Sequence, residues 1–235
     1  MFKRAKSGVS NLRQSLDGHR FPRSTSVKRR TNIRHIESLE QRALLTTLTV
    51  NVNTDTVDVN PGDAICADIS GDCSLRAAIE EANALAGSDD IQFNIGGGGA
   101  QTIPIATPLP SITDSVTIDG STQPGGSEIT VDASATTSMD TVVQIAGGTV
   151  AIQNIAITNA SGIGIETTGG TGHLLSNIDA SWNGVTPTGT GIQLRNVSNG
   201  TTVQNVTAKN RYQGIMVWGS NGNMIQSNDF SDAGS

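Results

Sequence analysis

The stretch from Ile152 to Phe230 repeats one short phrase, and that repetition limits the fold more than any other feature of the chain. Four segments, Ile152-Gln-Asn-Ile-Ala-Ile, Leu175-Ser-Asn-Ile-Asp-Ala, Val203-Gln-Asn-Val-Thr-Ala and Ile225-Gln-Ser-Asn-Asp-Phe, begin 23, 28 and 22 residues apart. Between them lie Gly162-Ile-Gly-Ile165, Gly191-Ile-Gln-Leu194 and Gly214-Ile-Met-Val217. Apolar residues alternate over a few positions and then stop at Gly, Asn or Ser, which predicts short strands closed by turns rather than helix. A period in the low twenties with two or three strands per period is one coil of a parallel β-solenoid. Roughly 140 residues at about 23 per coil give about six coils, and about 4.8 Å per coil makes a rod on the order of 30 Å long.

Composition fits that architecture. The 235 residues are 35% hydrophobic but only 3% aromatic, lean for a compact globule yet enough for a narrow column of Ile, Val and Leu. Charge is split along the chain. Residues 1–46 carry 11 of the 15 Lys and Arg but only Asp17, Glu37 and Glu40 of the 21 acids, so the tail is +8 and the remainder −14. An acidic body excludes nucleic acid as the expected partner, because phosphate binding needs a basic stripe on the folded part. No run of 18 apolar residues occurs, so no transmembrane span is expected.

Residues 1–46 lack apolar periodicity and are predicted to form a disordered basic tail that serves as an address. An ordinary secretory signal needs about 7–15 apolar residues after its charges, and the longest run here is Ala43-Leu44-Leu45. Arg29-Arg30 is followed by no apolar region, which argues against a twin-arginine signal. Leu39-Glu40-Gln41-Arg42-Ala43-Leu44-Leu45 resembles the Leu-Glu-x-Arg-x-Leu-Leu targeting motif found near the N-terminus of extracytoplasmic proteins of planctomycete-type bacteria, with Gln41 where that motif ordinarily has Pro. The resemblance implies an extracellular or cell-surface location.

Residues 47–90 read as a capping module. Thr47 to Val52 alternates as a strand, and the acidic Asp55–Asp72 loop follows. Cys73 to Ala86 then places Leu75, Ala78, Ile79, Ala82, Leu85 and Ala86 on one helical face, with Glu80 and Glu81 opposite. Asp72 or Ser74 can cap the helix start and Gly87 ends it. Cys66 and Cys73 are few and close, which suits one disulfide in an exported protein better than a metal site. Such a bridge contributes about 2.5 kcal/mol by loop-closure entropy. Asp63, Asp68 and Asp72 have the oxygen chemistry of Ca²⁺ ligands, but their spacing is not that of an EF-hand loop, and an acidic solvated turn is the expectation. Cys73-Ser74-Leu75-Arg76-Ala77-Ala78, with Cys66 upstream and Ala82-Asn83 downstream, resembles the CSLREA domain, Ala77 standing for the usual Glu. That resemblance implies an N-terminal module of secreted or surface bacterial proteins in front of a right-handed β-helix, and no particular activity. Physically, the helix can cover the open end of the apolar column.

Residues 91–235 are the β-helix itself, so the fold class is all-β, a right-handed parallel β-helix with an N-terminal capping helix. Asn154, Asn177 and Asn205 recur at one place in each coil. They form either a structural ladder of amide hydrogen bonds at inward bends, which the period favours, or a sugar-binding row. The fold resembles the pectin-lyase-like β-helices, whose hydrolases use paired carboxylates and whose lyases combine acidic Ca²⁺ ligands with a base. The repeats offer Arg195, Lys209, Arg211 and His173 as bases, and Glu166, Asp179, Asp229 and Asp232 as acids. Trp182, Tyr212 and Trp218 are candidates for a carbohydrate-stacking patch. The expectation is a non-catalytic secreted or surface protein, a scaffold or a binder of polysaccharide. The alternative is a carbohydrate-active enzyme, signalled by two carboxylates, or a carboxylate with Lys209 or Arg211, in one groove. No cofactor is expected. After Phe230 no helix covers the last coil, so missing sequence or self-association is expected to cap that end.

Overall fold

The structure, a computed structural model, describes residues 45–126, 128–195 and 199–232; the predicted tail lies outside them except for Leu45 and Thr46. The chain runs β1 (Thr47–Val50), α1 (Leu75–Ala84), β2 (Ser88–Phe93), β3 (Gln101–Pro104), β4 (Ser115–Asp119), β5 (Ile129–Asp132), β6 (Thr141–Ile145), β7 (Val150–Thr158), β8 (Ile163–Thr167), β9 (Leu174–Asp179), β10 (Thr188–Arg195), β11 (Thr202–Gln204), β12 (Arg211–Trp218) and β13 (Met224–Gln226). One sheet stacks β1-β2-β4-β7-β9-β11-β13, with β3 and β5 joining it through β7, and the other stacks β12-β10-β8-β6. The ladders within both sheets are parallel. Successive turns of the chain therefore lie on one another as coils.

Register turns the sequence repeat into an apolar column. Leu48, Ile91, Ile118, Ile152, Leu175, Val203 and Ile225 pair in succession along the first sheet. Val143, Ile165, Ile192 and Ile215 do the same in the second. Each buried aliphatic contributes about 1.5–3 kcal/mol, but only with a neighbour above and below, so no coil is stable alone. The long strand β7 bends at Asn154, whose φ is 57°. Its front half pairs with β4 and its back half with β5, which is why the first sheet branches there.

Helix α1 closes the N-terminal end of the column. Ser74 caps it, its hydroxyl accepting the Ala77 amide at 3.1 Å, and the predicted residues Leu75, Ala78, Ile79 and Ala82 are buried. The helix stops at Ala84, short of Leu85 and Ala86, because Leu85 is already extended. Leu75 and Ile79 meet Leu109, Ile118, Val131, Ile152 and Ile157 around a wholly apolar void of about 20 Å³, which offers an ordered water no polar partner. Glu81 corrects the helical-wheel expectation. It is fully buried, because the preceding loop folds over that flank and needs acceptors for its amides: the Glu81 carboxylate accepts the Gly62 and Ala64 N–H groups, and Glu80 accepts that of Asp58 at 2.7 Å.

The residues around α1 also fasten it to the first coil. Cys66 and Cys73 form a disulfide with Cα atoms 5.2 Å apart. Arg76 grips Asp55 bidentately, at 2.7 and 3.0 Å, and donates to the Thr107 and Pro108 carbonyls. Asn83 donates to Ser111 O and accepts the Thr113 amide.

Candidate functional site

Asn154, Asn177 and Asn205 stand at one bend on successive coils, with φ of 57°, 54° and 52°. Asparagine tolerates this left-handed backbone better than other non-glycine residues. The Asn177 amide donates to Asn154 Oδ1 at 3.0 Å, and the Asn205 amide donates to Asn177 Oδ1 at 3.2 Å. Below them the Asn154 amide donates to Asp119 Oδ1 at 2.8 Å. Burial alone would raise the Asp119 carboxyl, but Asn154 and Ser121 outweigh it and hold it below the usual carboxylate range. The row does not face inward as the period suggests: Asn177 and Asn205 are exposed, since the flanking Ile and Val take the interior. Each amide has two N–H groups and two lone pairs, so a ladder that uses one of each leaves the outer side able to bind. Alongside lies a groove of about 250 Å³, lined by Ser121, Glu128, Asn154, Ala156, Asn177 and Asp179. The neighbouring coil sits close to this bend: a Cβ at Gly120 would strike the Asn154 carbonyl.

A family profile, the right-handed beta helix region, matches residues 117–235, just over half of the chain. The chain belongs to the right-handed β-helix family. No curated protein and no solved structure matches it significantly.

In this β-helix four aspartates are turn formers, while Asp232 is exposed with a left-handed backbone of φ 58°. Asp119, Asp132, Asp179 and Asp229 each accept, through Oδ1, the amide of the serine two residues on, at 2.9–3.0 Å. The phrase Asp-x-Ser was readable in the sequence as a second repeat, offset from the Asn row, and it explains these carboxylates as Asx-type turns. Asp179, Thr207 and Asp229 occupy one column by successive bridges, so the two aspartates stand two coils apart, about 9–10 Å between backbones at the usual strand spacing.

The bases of the β-helix are engaged as well. Lys209 Nζ lies 2.7 Å from Asp229 Oδ2. That hydrogen-bonded pairing raises the ammonium above its ordinary value and holds the Asp229 carboxyl at about 2. Both shifts run against general acid–base work near neutrality, which needs a lysine able to lose its proton or a carboxyl able to keep one. His173 is buried; Nδ1 accepts the Val150 amide at 3.1 Å and Nε2 donates to Gly169 O at 2.8 Å, while desolvation lowers its basicity. Arg211 is fully buried and donates to Ala180 O at 2.6 Å and to Ala160 O, and burial brings it down to about 10. Arg195 pairs with the buried Glu166 at 3.2 Å and lies under Trp218, 5.4 Å from the ring centroid.

The three aromatic residues do not form one patch. Tyr212 and Trp218 are exposed at opposite ends of β12, about 20 Å apart at the rise of a strand. Trp182 is half-buried, its ring seated over Gly184. The acids considered for Ca²⁺ are spread over separate turns. Asp63 accepts from Ile65 N and Asn60 Nδ2, each at 2.9 Å, and Asp68 accepts from Ser70 N and Asp72 N. The Asp72 amide foremost holds the Asp68 carboxyl below its ordinary value. No group of three His, Cys, Asp or Glu placed to share a metal ion occurs among the described residues.

Proposed function

We propose that this right-handed β-helix is a non-catalytic extracellular or cell-surface protein whose Asn-row groove contacts glycan. The observation that carries the proposal is that the four bases of the later coils and the turn aspartates are already engaged: Asp119, Asp132, Asp179 and Asp229 in Asp-x-Ser turns, Lys209 on Asp229, Arg195 on Glu166, and His173 and Arg211 on backbone. The groove retains amide and carboxylate groups of the kind that orient sugar hydroxyls, on a rigid stack. The resemblance of the N-terminal regions to the targeting motif and to the CSLREA domain, together with a disulfide, supports an oxidising, extracytoplasmic setting.

A second reading, a carbohydrate-active enzyme, has two observations in its favour, the first being that two carboxylates, Glu128 and Asp179, line the one groove. The second is that the two-coil separation of Asp179 and Asp229 falls near the range of about 6.5–9.5 Å between the carboxyls of inverting glycosidases. A panel of acidic and neutral polysaccharides, tested for both retention and cleavage, separates the two. Retention that weakens with Asn177→Ala or Asp179→Asn, with no new reducing ends or unsaturated products, is the expected result. Cleavage abolished by Asp179→Asn or Asp229→Asn would establish the enzyme instead.

A further inference from the structure

Asp89 presents an unmet need beside the first described residues. Its side chain is fully buried at the head of β2. Oδ1 accepts the Thr46 amide at 3.0 Å, and Oδ2 has no hydrogen-bond partner. The next positions of its register column are the apolar Val116 and Val150, and the group that favours its charged form is Thr46, through its amide and its hydroxyl. The charged groups acting on it, Asp114 and Asp90, are both negative. A buried carboxylate with half of its acceptor capacity unused is costly, and a cation at hydrogen-bond distance removes much of that cost.

The atom already in place is the Thr46 nitrogen, which is an amide only while residue 45 is attached. Leu45 is 65% exposed, so the bond joining them is reachable. It also marks the change from the +8 tail to the acidic body. We propose that the Leu45–Thr46 peptide bond is hydrolysed when the protein matures, and that the freed α-ammonium of Thr46 pairs with both oxygens of Asp89. In that hydrolysis the C–N bond breaks, the water oxygen goes to Leu45 as a carboxylate, and both water hydrogens end on the Thr46 nitrogen as ammonium. One N–H keeps the contact with Oδ1 and a second turns to Oδ2. The partner is an endoprotease that accepts an aliphatic pair, Leu44-Leu45, before the scissile bond.

The test uses the full chain with a four-residue protease recognition sequence in place of residues 42–45, cut in the folded state immediately after it so that Thr46 becomes the first residue. A control carries the same sequence in place of residues 41–44 and frees Leu45. The Thr46 cut is expected to melt at least about 2–4 °C higher than the control, and Asp89→Asn is expected to abolish the difference. Equal melting of the two cut forms, or a difference that survives Asp89→Asn, overturns the pairing. Should Asp89→Asn fail to fold, carbamoylation by cyanate decides: slower reaction at Thr46 than at Leu45 supports the pair, and equal rates refute it. The intact mass of protein exported by its native host is expected to begin at Thr46, and any other start overturns the processing step.

Discussion

At the scale of single residues, two buried polar groups make opposite demands on the interior. Thr167 belongs to the column Ile145, Thr167, Leu194 and Val217, is fully buried, and has a hydroxyl without a partner. Thr167→Val keeps the shape and removes an unmet donor, so it should stabilise the protein by about 1 kcal/mol. Urea unfolding checks this, and a loss of stability would show that the hydroxyl has a partner in solution. His173 is the reverse case, since both ring nitrogens are used and burial lowers its pKa from 6.5. Between the folded and unfolded values the unfolded chain binds the extra proton, so the contribution of His173 is complete above about pH 6.5 and is lost as pH falls below it. The melting temperature should therefore drop from pH 7 to pH 5, and His173→Gln should flatten that drop. An unchanged slope in the variant would assign the acid sensitivity to other groups.

At the scale of elements, the bend is the unit that sets the coil, and Asn177 tests what it needs. Asn177→Ala loses two ladder hydrogen bonds and keeps a Cβ at φ 54° without the polar side chain that makes asparagine tolerant of that backbone. Asn177→Gly loses the same bonds but relieves the backbone, which is worth about 1–2 kcal/mol. Denaturation should rank wild type above Gly and Gly above Ala; equal losses would place the whole effect in the amides. The bends and strands were legible in the sequence because Ile-x-Asn-Ile states local demands, an inward aliphatic and a residue that accepts left-handed backbone. The outward aim of the Asn row was not, since period alone does not say which side of a corner a side chain takes. Glu81 was misplaced for a related reason: a helical wheel places a carboxylate opposite the apolar face, but the loop that covers it comes from residues some 20 positions earlier, and its amides set the burial. Asp179 and Asp229 looked like free acids because their turn role depends on a serine two residues on, a pattern of spacing rather than of residue type.

At the scale of the whole molecule, stability is shared between neighbouring coils, so the ends matter more than their small size suggests. The helix α1 and the segment it fastens through Arg76 and Asn83 lie over the end of the column, where strand β1 leaves an edge. In a stack with only nearest-neighbour contacts, loosening a cap should unzip the near coils while the far ones keep their partners. Ile79 is 1% exposed and reaches into the apolar void with Leu75, Ile118 and Ile152. Ile79→Ala should cost about 2–5 kcal/mol, by lost transfer and by enlarging that void. Hydrogen exchange gives the test its spatial form. Amides of β2 and β4 should lose protection first and by the largest factor, while those of β10, paired on both sides by β8 and β12, should keep most of theirs. A uniform loss across β2, β4 and β10 would mean that the β-helix unfolds as one cooperative body, and that the helix stabilises all of it rather than the end it covers.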